Sequence, residues 1–130
     1  MDIEHVKAGA DHIVALEPLS GPGIDQTLSM VWAVGRRCNF ACSYCTTEFH
    51  DRVSPHRSFD EFKKVWDNIK NAMFKRGLVA ASIEFTGGEA TMNPDFLPFI
   101  RYLSQTQRSW IRSMGLTSNG SESLGYYQRL

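Results

Sequence analysis

The sequence has 130 residues, of which 42% are hydrophobic and 22% are charged, and its formal net charge is zero. This length fits one domain with a buried core, and this composition is that of an ordinary globular protein. Zero net charge gives no support to nucleic-acid or membrane binding driven by bulk electrostatics. The charged first residues lack the apolar segment of a signal peptide, and no apolar run is long enough to span a bilayer.

The beginning of the chain is predicted to be a lead-in, residues 1–26, to a main domain that starts at residue 27. Within it, residues 13–16 favour a short strand that the turn-forming residues 17–23 end. Residues 28–34 form a mostly apolar run that stops at Gly35. Such a run is typical of a strand covered on both faces in a parallel sheet.

All three cysteines of the chain, Cys38, Cys42 and Cys45, follow this strand directly. An odd number of cysteines rules out a pure disulfide framework, and clustered thiolates suit iron–sulfur clusters or zinc. A closed structural site takes four protein ligands, so three cysteines without a fourth predict a metal centre with one open position. Free clustered thiols also favour a reducing compartment, and the cytoplasm is the expected location.

The next elements alternate between helix and strand. Ser58 and Glu61 predict a capping box, and Gly77 a stop, for a helix with one apolar stripe. A second helix is predicted from about residue 93 to 105, with Asp95 as N-cap, and the start of a third over residues 121–130. The stripe residues of the first two helices are Phe59, Phe62, Trp66, Ile69, Met73, Phe96, Ile100 and Leu103.

Two further strands are predicted over residues 80–86 and 110–116. Alternation in the first of them turns Ile83 and Phe85 towards the helices and Glu84 to the opposite face. A glutamate there is costly unless that face lines a polar, ligand-bearing cavity. The glycine pair at residues 87–88 lets the backbone turn sharply and come close to a ligand.

Strands that alternate with helices predict an α/β fold of parallel β/α units with right-handed crossovers. Ligand sites in such folds lie at the carboxyl ends of the strands. The cysteine loop, the diglycine turn and the turn at residues 117–120 each follow one strand at that end. We therefore expect these three segments to meet at one rim of the sheet.

The cysteine spacing, with Tyr44 directly before the last cysteine, resembles the cluster motif of the radical S-adenosylmethionine superfamily. Residues 85–89 resemble the Gly-Gly-Glu motif of that superfamily, and residues 117–120 resemble its Ser/Thr-Asn-Gly turn. The resemblance implies a partial TIM-type barrel, of which residues 27–130 would be the first half, truncated after the third strand. Such a half barrel exposes an edge strand, which predicts a missing C-terminal half or a partner chain. Ala90 departs from the family, which often has proline there.

The resemblance further implies a [4Fe-4S] cluster held by Cys38, Cys42 and Cys45, with S-adenosylmethionine on its fourth iron. One electron, from a donor such as flavodoxin or ferredoxin, would cleave this cofactor to a 5′-deoxyadenosyl radical that abstracts hydrogen from an unknown substrate. The cofactor-binding residues that it implies are Tyr44 beside the adenine, Gly87, Gly88 and Glu89 around the methionine amino group, and Ser118 and Asn119 nearby.

Three other interpretations of the cysteines are open. A structural zinc site would combine them with His50 or His56. An electron-transfer module would need a fourth protein ligand for its cluster. A catalytically inactive remnant would bind the cluster and carry the same motifs as an active enzyme.

Overall fold

A computed structural model of the chain describes residues 4–7, 13–18, 26–45 and 50–130. These residues contain one five-stranded sheet in which the strands lie in chain order. The last three strands are mutually parallel, while the first two run antiparallel to their neighbours. The strands are β1 (Glu4–Lys7), β2 (Ile13–Pro18), β3 (Thr27–Ala33), β4 (Ala80–Thr86) and β5 (Ile111–Leu116).

The helices follow the parallel strands and confirm the predicted α/β architecture of a partial barrel. They are α1 (Phe59–Lys75) between β3 and β4, α2 (Phe96–Thr106) between β4 and β5, and the short α3 (Leu124–Tyr127) after β5, with 3-10 turns at Ala90–Met92 and Arg108–Trp110. In the part of the chain that is described, no helix is long and apolar enough to cross a membrane.

The start of α1 is fixed by the predicted capping box. The Ser58 hydroxyl accepts from the Glu61 N–H at 3.2 Å, and the Glu61 carboxylate accepts from the Ser58 N–H at 2.8 Å. Asp95 is the N-cap residue of α2, as predicted, but its side chain makes no capping bond to that helix. Its carboxylate instead accepts from the Phe59 N–H at 3.0 Å, so it ties α2 to the start of α1. Gly77 follows α1 with φ +70°, which explains why the helix stops there.

The core lies between α1, α2 and one face of the sheet. Trp32 from β3 is fully buried, with its ring 5.5 Å from that of Phe99 on α2. Phe62 on α1 stacks on Phe99 with ring centroids 5.1 Å apart. The predicted stripes are therefore packing surfaces, and the other buried apolar residues of the sheet and helices include Leu28, Met30, Trp66, Ile69, Met73, Ala81, Ile83, Phe85, Phe96, Ile100 and Leu103.

The first two strands extend the sheet beyond β3. The predicted strand at residues 13–16 is confirmed within β2, which pairs with β3 from Val14–Trp32 to Pro18–Leu28. β1 was not predicted from the sequence. The predicted turn at residues 17–23 begins too early, because Glu17 and Pro18 belong to β2 and pair with β3. Residues 19–23 lie outside the described residues, as do residues 46–49 of the cysteine loop. At the other end of the described sheet, β5 is an edge strand, as expected.

Candidate functional site at the carboxyl rim of the sheet

Three loops lie together where β3, β4 and β5 end. The register pairs Ala33 with Thr86 and Phe85 with Leu116, so the parallel strands finish at the same level. The cysteine loop follows β3, the diglycine turn follows β4, and the Ser118-Asn119 turn follows β5. Hydrogen bonds connect each loop to the next, and the predicted meeting of the three segments is confirmed.

The diglycine turn packs directly against the backbone that leads into the cysteines. The Gly88 N–H donates to the Gly35 carbonyl at 2.9 Å, and the Glu89 N–H donates to the Arg37 carbonyl at 2.8 Å. A methyl group on Gly88 would lie 2.3 Å from the Arg36 carbonyl oxygen. Gly87 has φ +143°, a conformation that side chains rarely adopt. These glycines are therefore needed for contact with the chain's own backbone, and their predicted close approach to a ligand stays a prediction.

The Glu89 carboxylate connects the second loop to the third. It is buried, and its Oε1 accepts from the Thr91 hydroxyl at 2.7 Å and from the Ser118 hydroxyl at 2.9 Å. Its Oε2 accepts from the Asn119 N–H at 2.6 Å. A buried carboxylate is stable only when such donors replace water. Glu89 is thus the residue that fixes the position of the Ser118-Asn119 turn.

Ser118 is held in turn by the end of the chain's last helix. Its one hydroxyl hydrogen goes to Glu89, so the hydroxyl of Tyr127, 2.9 Å from Ser118 Oγ, must donate to Ser118. The Tyr127 oxygen accepts from the Glu122 N–H at 3.3 Å. α3 therefore reaches back to the rim and supports this turn.

The Asn119 side chain reaches the cysteine loop. Its Nδ2 lies 3.8 Å from Cys38 Sγ and 2.9 Å from Asn39 Oδ1. Cys38 Sγ also accepts from the Phe40 N–H at 3.4 Å. Among the described residues, the sulfur of the first cysteine thus has two N–H donors, one from its own loop and one from the loop after β5.

The three cysteines differ in exposure. Cys38 is buried, Cys42 is partly buried and Cys45 is exposed, and all three are free thiols. Partial desolvation raises the pKa of the Cys45 thiol, and the neighbouring thiols of Cys42 and Cys38 raise it further. Tyr44 is 85% exposed and lies beside Cys42, whose hydrogen bond is the first cause that raises the pKa of the tyrosine. Tyr44 is thus at the cysteine loop, outside the network of Glu89 and Asn119.

The returning limb of the cysteine loop, residues 50–57, is fixed by Asp51. Its N–H donates to the Arg36 carbonyl at 2.8 Å, and its carbonyl accepts from the Cys38 N–H at 2.8 Å. Its carboxylate accepts from the N–H and the hydroxyl of Ser54 and from the Val53 N–H. The Ser54 hydroxyl is the largest of the causes that lower the pKa of Asp51 to about 2.

The histidines of the alternative zinc site lie on the same returning limb. His56 lines a small pocket with residues 34–37, 55, 57, 89, 90 and 93. Desolvation by burial, then the charge of Arg37, lowers the pKa of the His56 imidazole. His50 is partly buried. Within the described ranges, no three Cys, His, Asp or Glu side chains are grouped as a single metal ion requires.

Glu84 lies on the sheet face opposite the helices, as predicted. Its Oε1 accepts from the Thr117 hydroxyl at 2.9 Å, and its carboxylate covers Gly115 so closely that a methyl group there would overlap it. The neighbouring Val31 is 44% exposed on this face, and Glu84 is itself exposed. Glu84 therefore supports the turn after β5 from the open face, while Glu89 supports it from the buried side.

Three contributors to the rim were missed in the sequence. Thr91 stands two residues after Glu89, and a contact between its hydroxyl and that carboxylate has no sequence pattern of its own. Asp51 had a weak local signal, since Asp followed by Ser three residues later is typical of a turn. Tyr127 gave no signal, because its contact with Ser118 depends on where α3 lies in the fold.

The donor set at the rim fits an iron–sulfur cluster. Three free thiols stand within eight residues, and the most buried of them receives two N–H groups at its sulfur. Such hydrogen bonds to ligand sulfurs are typical around clusters, where they balance the negative charge of the thiolates.

The sequence model of the protein family described as the Radical SAM superfamily matches residues 32–130 of the chain. Among curated proteins, the chain is 31% identical over 86 residues to the GTP 3′,8-cyclase of Pasteurella multocida, a match that covers 64% of this chain and 23% of that enzyme. The enzymes of the same name from Haemophilus ducreyi and Actinobacillus succinogenes are 34% and 36% identical, with the same coverage. The chain thus spans about a quarter of the length of these relatives. No solved structure gives a significant match.

Proposed function

Since this chain belongs to the radical S-adenosylmethionine superfamily, we propose that residues 27–130 form the part of its core domain that binds a [4Fe-4S] cluster and S-adenosylmethionine. In this proposal Cys38, Cys42 and Cys45 would hold the cluster and leave one of its positions open for S-adenosylmethionine. When bound, this pair supplies reductive cleavage to a 5′-deoxyadenosyl radical that abstracts hydrogen from a substrate.

The observation that supports the proposal is the hydrogen-bonded connection between the three loops. Glu89 receives donors from the turn after β5, and Asn119 on that turn reaches Cys38 Sγ. A cofactor chelated at the open iron needs fixed groups beside the cysteines, because orientation is what the protein contributes to such chemistry. The hydrogen bonds of Glu89 and Asn119 supply such fixed groups at the rim.

The residues of the rim have distinct tasks in this proposal. The three cysteines bind the cluster. The backbone of residues 87–89 would line the methionine amino group, and Glu89 holds the Ser118-Asn119 turn in place. Tyr44 is exposed at the cysteine loop and would pack against the adenine once the cofactor is bound. An electron donor of the flavodoxin or ferredoxin type is part of the proposal.

The substrate is proposed from the relatives alone. The enzymes that this chain resembles are named GTP 3′,8-cyclases, which makes GTP the first substrate to assay. Activity on GTP is a proposal for a protein that includes this chain, because the chain spans 23% of those enzymes.

The test is anaerobic reconstitution of the chain with iron and sulfide, followed by electron paramagnetic resonance of the reduced protein with and without S-adenosylmethionine. We expect a reduced [4Fe-4S] signal that changes shape when the cofactor is added. Release of 5′-deoxyadenosine then measures cleavage. Cys38→Ala is expected to lose the cluster, while Ser43→Ala, a change within the same loop, is expected to keep it.

Each alternative gives a different result in this experiment. A cluster whose signal ignores S-adenosylmethionine would contradict an open iron site. A cluster that responds to the cofactor without releasing 5′-deoxyadenosine would identify a catalytically inactive remnant. Bound zinc without a cluster would refute the proposal.

A further inference from the structure

The side-chain amide of Asn119 is fixed in one orientation. Its Oδ1 accepts from the Ser121 N–H at 3.0 Å, so its Nδ2 must face the opposite way. An amide nitrogen carries two hydrogens. One points to Asn39 Oδ1 at 2.9 Å, and the other to Cys38 Sγ at 3.8 Å.

The backbone that carries this amide and the neighbouring Asn39 side chain each make a further hydrogen bond. The Asn119 N–H donates to the buried Glu89 carboxylate at 2.6 Å, which fixes the backbone of the turn. The Asn39 Nδ2 donates to Ser121 Oγ at 3.1 Å, a contact that involves neither the Asn119 amide nor Cys38. The N–H that faces Cys38 is therefore prepositioned by the fold.

Cys38 is the thiol for which such a donor has the largest effect. It is the most buried of the three cysteines, with 9% of its surface exposed. A hydrogen bond in a partly water-excluded site is electrostatically stronger than one in water. The other donor to this sulfur, the Phe40 N–H, belongs to the cysteine loop itself. Asn119 is thus a link from the loop after β5 to a sulfur of the loop after β3.

We propose that Asn119 is a positioning residue that raises the reduction potential of the cluster by donating a hydrogen bond to Cys38 Sγ. The inference rests on the proposed function, since it requires Cys38 to be a cluster ligand. An N–H donor stabilises a sulfur more as the sulfur gains negative charge, and reduction adds one electron to the cluster. The reduced state gains more from Asn119 than the oxidised state, so the potential rises.

The test is a redox titration of the reconstituted full chain, with the reduced cluster measured by electron paramagnetic resonance at a series of set potentials. The variants are Asn119→Ser and Asn119→Ala. Serine keeps a side-chain acceptor for the Ser121 N–H, but its hydroxyl is too short to reach the sulfur. We expect both variants to have a lower midpoint potential than the unchanged chain. Asn119→Ser covers the case in which Asn119→Ala fails to fold.

Ser121→Ala is the matched control. It removes the contact between Asn39 and Ser121 Oγ while the amide of Asn119 and its hydrogen bond to Cys38 remain. Its midpoint potential is expected to equal that of the unchanged chain. A general loosening of the turn would lower the midpoint potential of this variant as well.

The outcomes separate this inference from the proposed function. If the unchanged chain takes up no cluster, both are wrong. If it takes up a cluster and the Asn119 variants share its midpoint potential, only the role of Asn119 is refuted. A shift of equal size in Ser121→Ala would also refute that role, and so would loss of the cluster in both Asn119 variants, which would assign Asn119 to assembly.

Discussion

Gly88→Ala tests whether the diglycine turn serves the packing of the chain's own loops. The new methyl group would lie 2.3 Å from the Arg36 carbonyl oxygen and 2.4 Å from that of Arg37. Both obstacles are backbone atoms at the entry to the cysteine loop, so no side chain can rotate out of the way. The loops would have to separate by roughly 1 Å to restore an ordinary contact of about 3.4 Å between carbon and oxygen.

The cost of this separation has two parts. Overpacking of this kind costs about 1–3 kcal/mol. The two hydrogen bonds that join residues 88–89 to Gly35 and Arg37 would be stretched, at about 1 kcal/mol each if fully lost. Alanine restricts the unfolded chain and returns about 0.4–1 kcal/mol. We expect the free energy of unfolding to fall by about 3 kcal/mol.

The measurement is urea-induced unfolding followed by tryptophan fluorescence, without added iron or cofactor. Gly35→Ala is the matched control, since Gly35 lies in the same contact but a methyl group there meets nothing within 4 Å. Its free energy of unfolding is expected to rise by about 0.4–1 kcal/mol, because alanine restricts the unfolded chain and meets no obstacle in the folded one. If Gly88→Ala were as stable as Gly35→Ala, the packing argument would be wrong, and the glycine would be there only for a ligand.

Two other predictions concern the loops and helices that support the rim. Ser58→Ala removes the capping box of α1 and is expected to lower the free energy of unfolding by about 1 kcal/mol, measured by urea unfolding against Ser104→Ala. The pKa of Asp51 is lowered from 3.8 to about 2, so its ionised form contributes stability above pH 4 that is lost as the pH falls towards 2. The difference in free energy of unfolding between the unchanged chain and Asp51→Asn should therefore shrink as the pH falls from 5 to 2. A difference that stays constant would show that the carboxylate charge does not contribute to stability.

The main elements of the fold could be predicted because their signals are local. The stripe of α1 repeats every three or four residues, and its cap at Ser58 lies in the same stretch of sequence. β1 could not be predicted in the same way, because Glu4–Lys7 contains a single apolar residue, Val6. It joins the sheet by pairing its backbone with β2, and backbone pairing leaves no pattern in the side chains.

The location of the candidate site could be predicted from the topology of the sheet, but the contacts between its side chains could not. Parallel strands bring their carboxyl ends to one rim, and this was enough to group the three motifs. Which side chains meet there was beyond the sequence, because Glu89 and Asn119 are 30 residues apart and their contact depends on the register of β4 against β5. The contact of the diglycine pair with the chain's own backbone was beyond the sequence for the same reason, since that backbone lies more than 50 residues earlier in the chain.

The position of the cysteine loop depends on the turn after β5, and the position of that turn depends on Glu89. Glu89 receives its donors from the turn after β5, and that turn carries the amide that faces Cys38. A change at Glu89 therefore reaches the cysteine loop by two routes, through Asn119 and through the backbone bond to Arg37. The carboxylate of Glu89 accepts at both oxygens, whereas the amide of a glutamine accepts at only one. In Glu89→Gln, at least one amide N–H would therefore face a donor of Thr91, Ser118 or Asn119. We infer that the acidic residue after the two glycines holds the three loops together through these bonds.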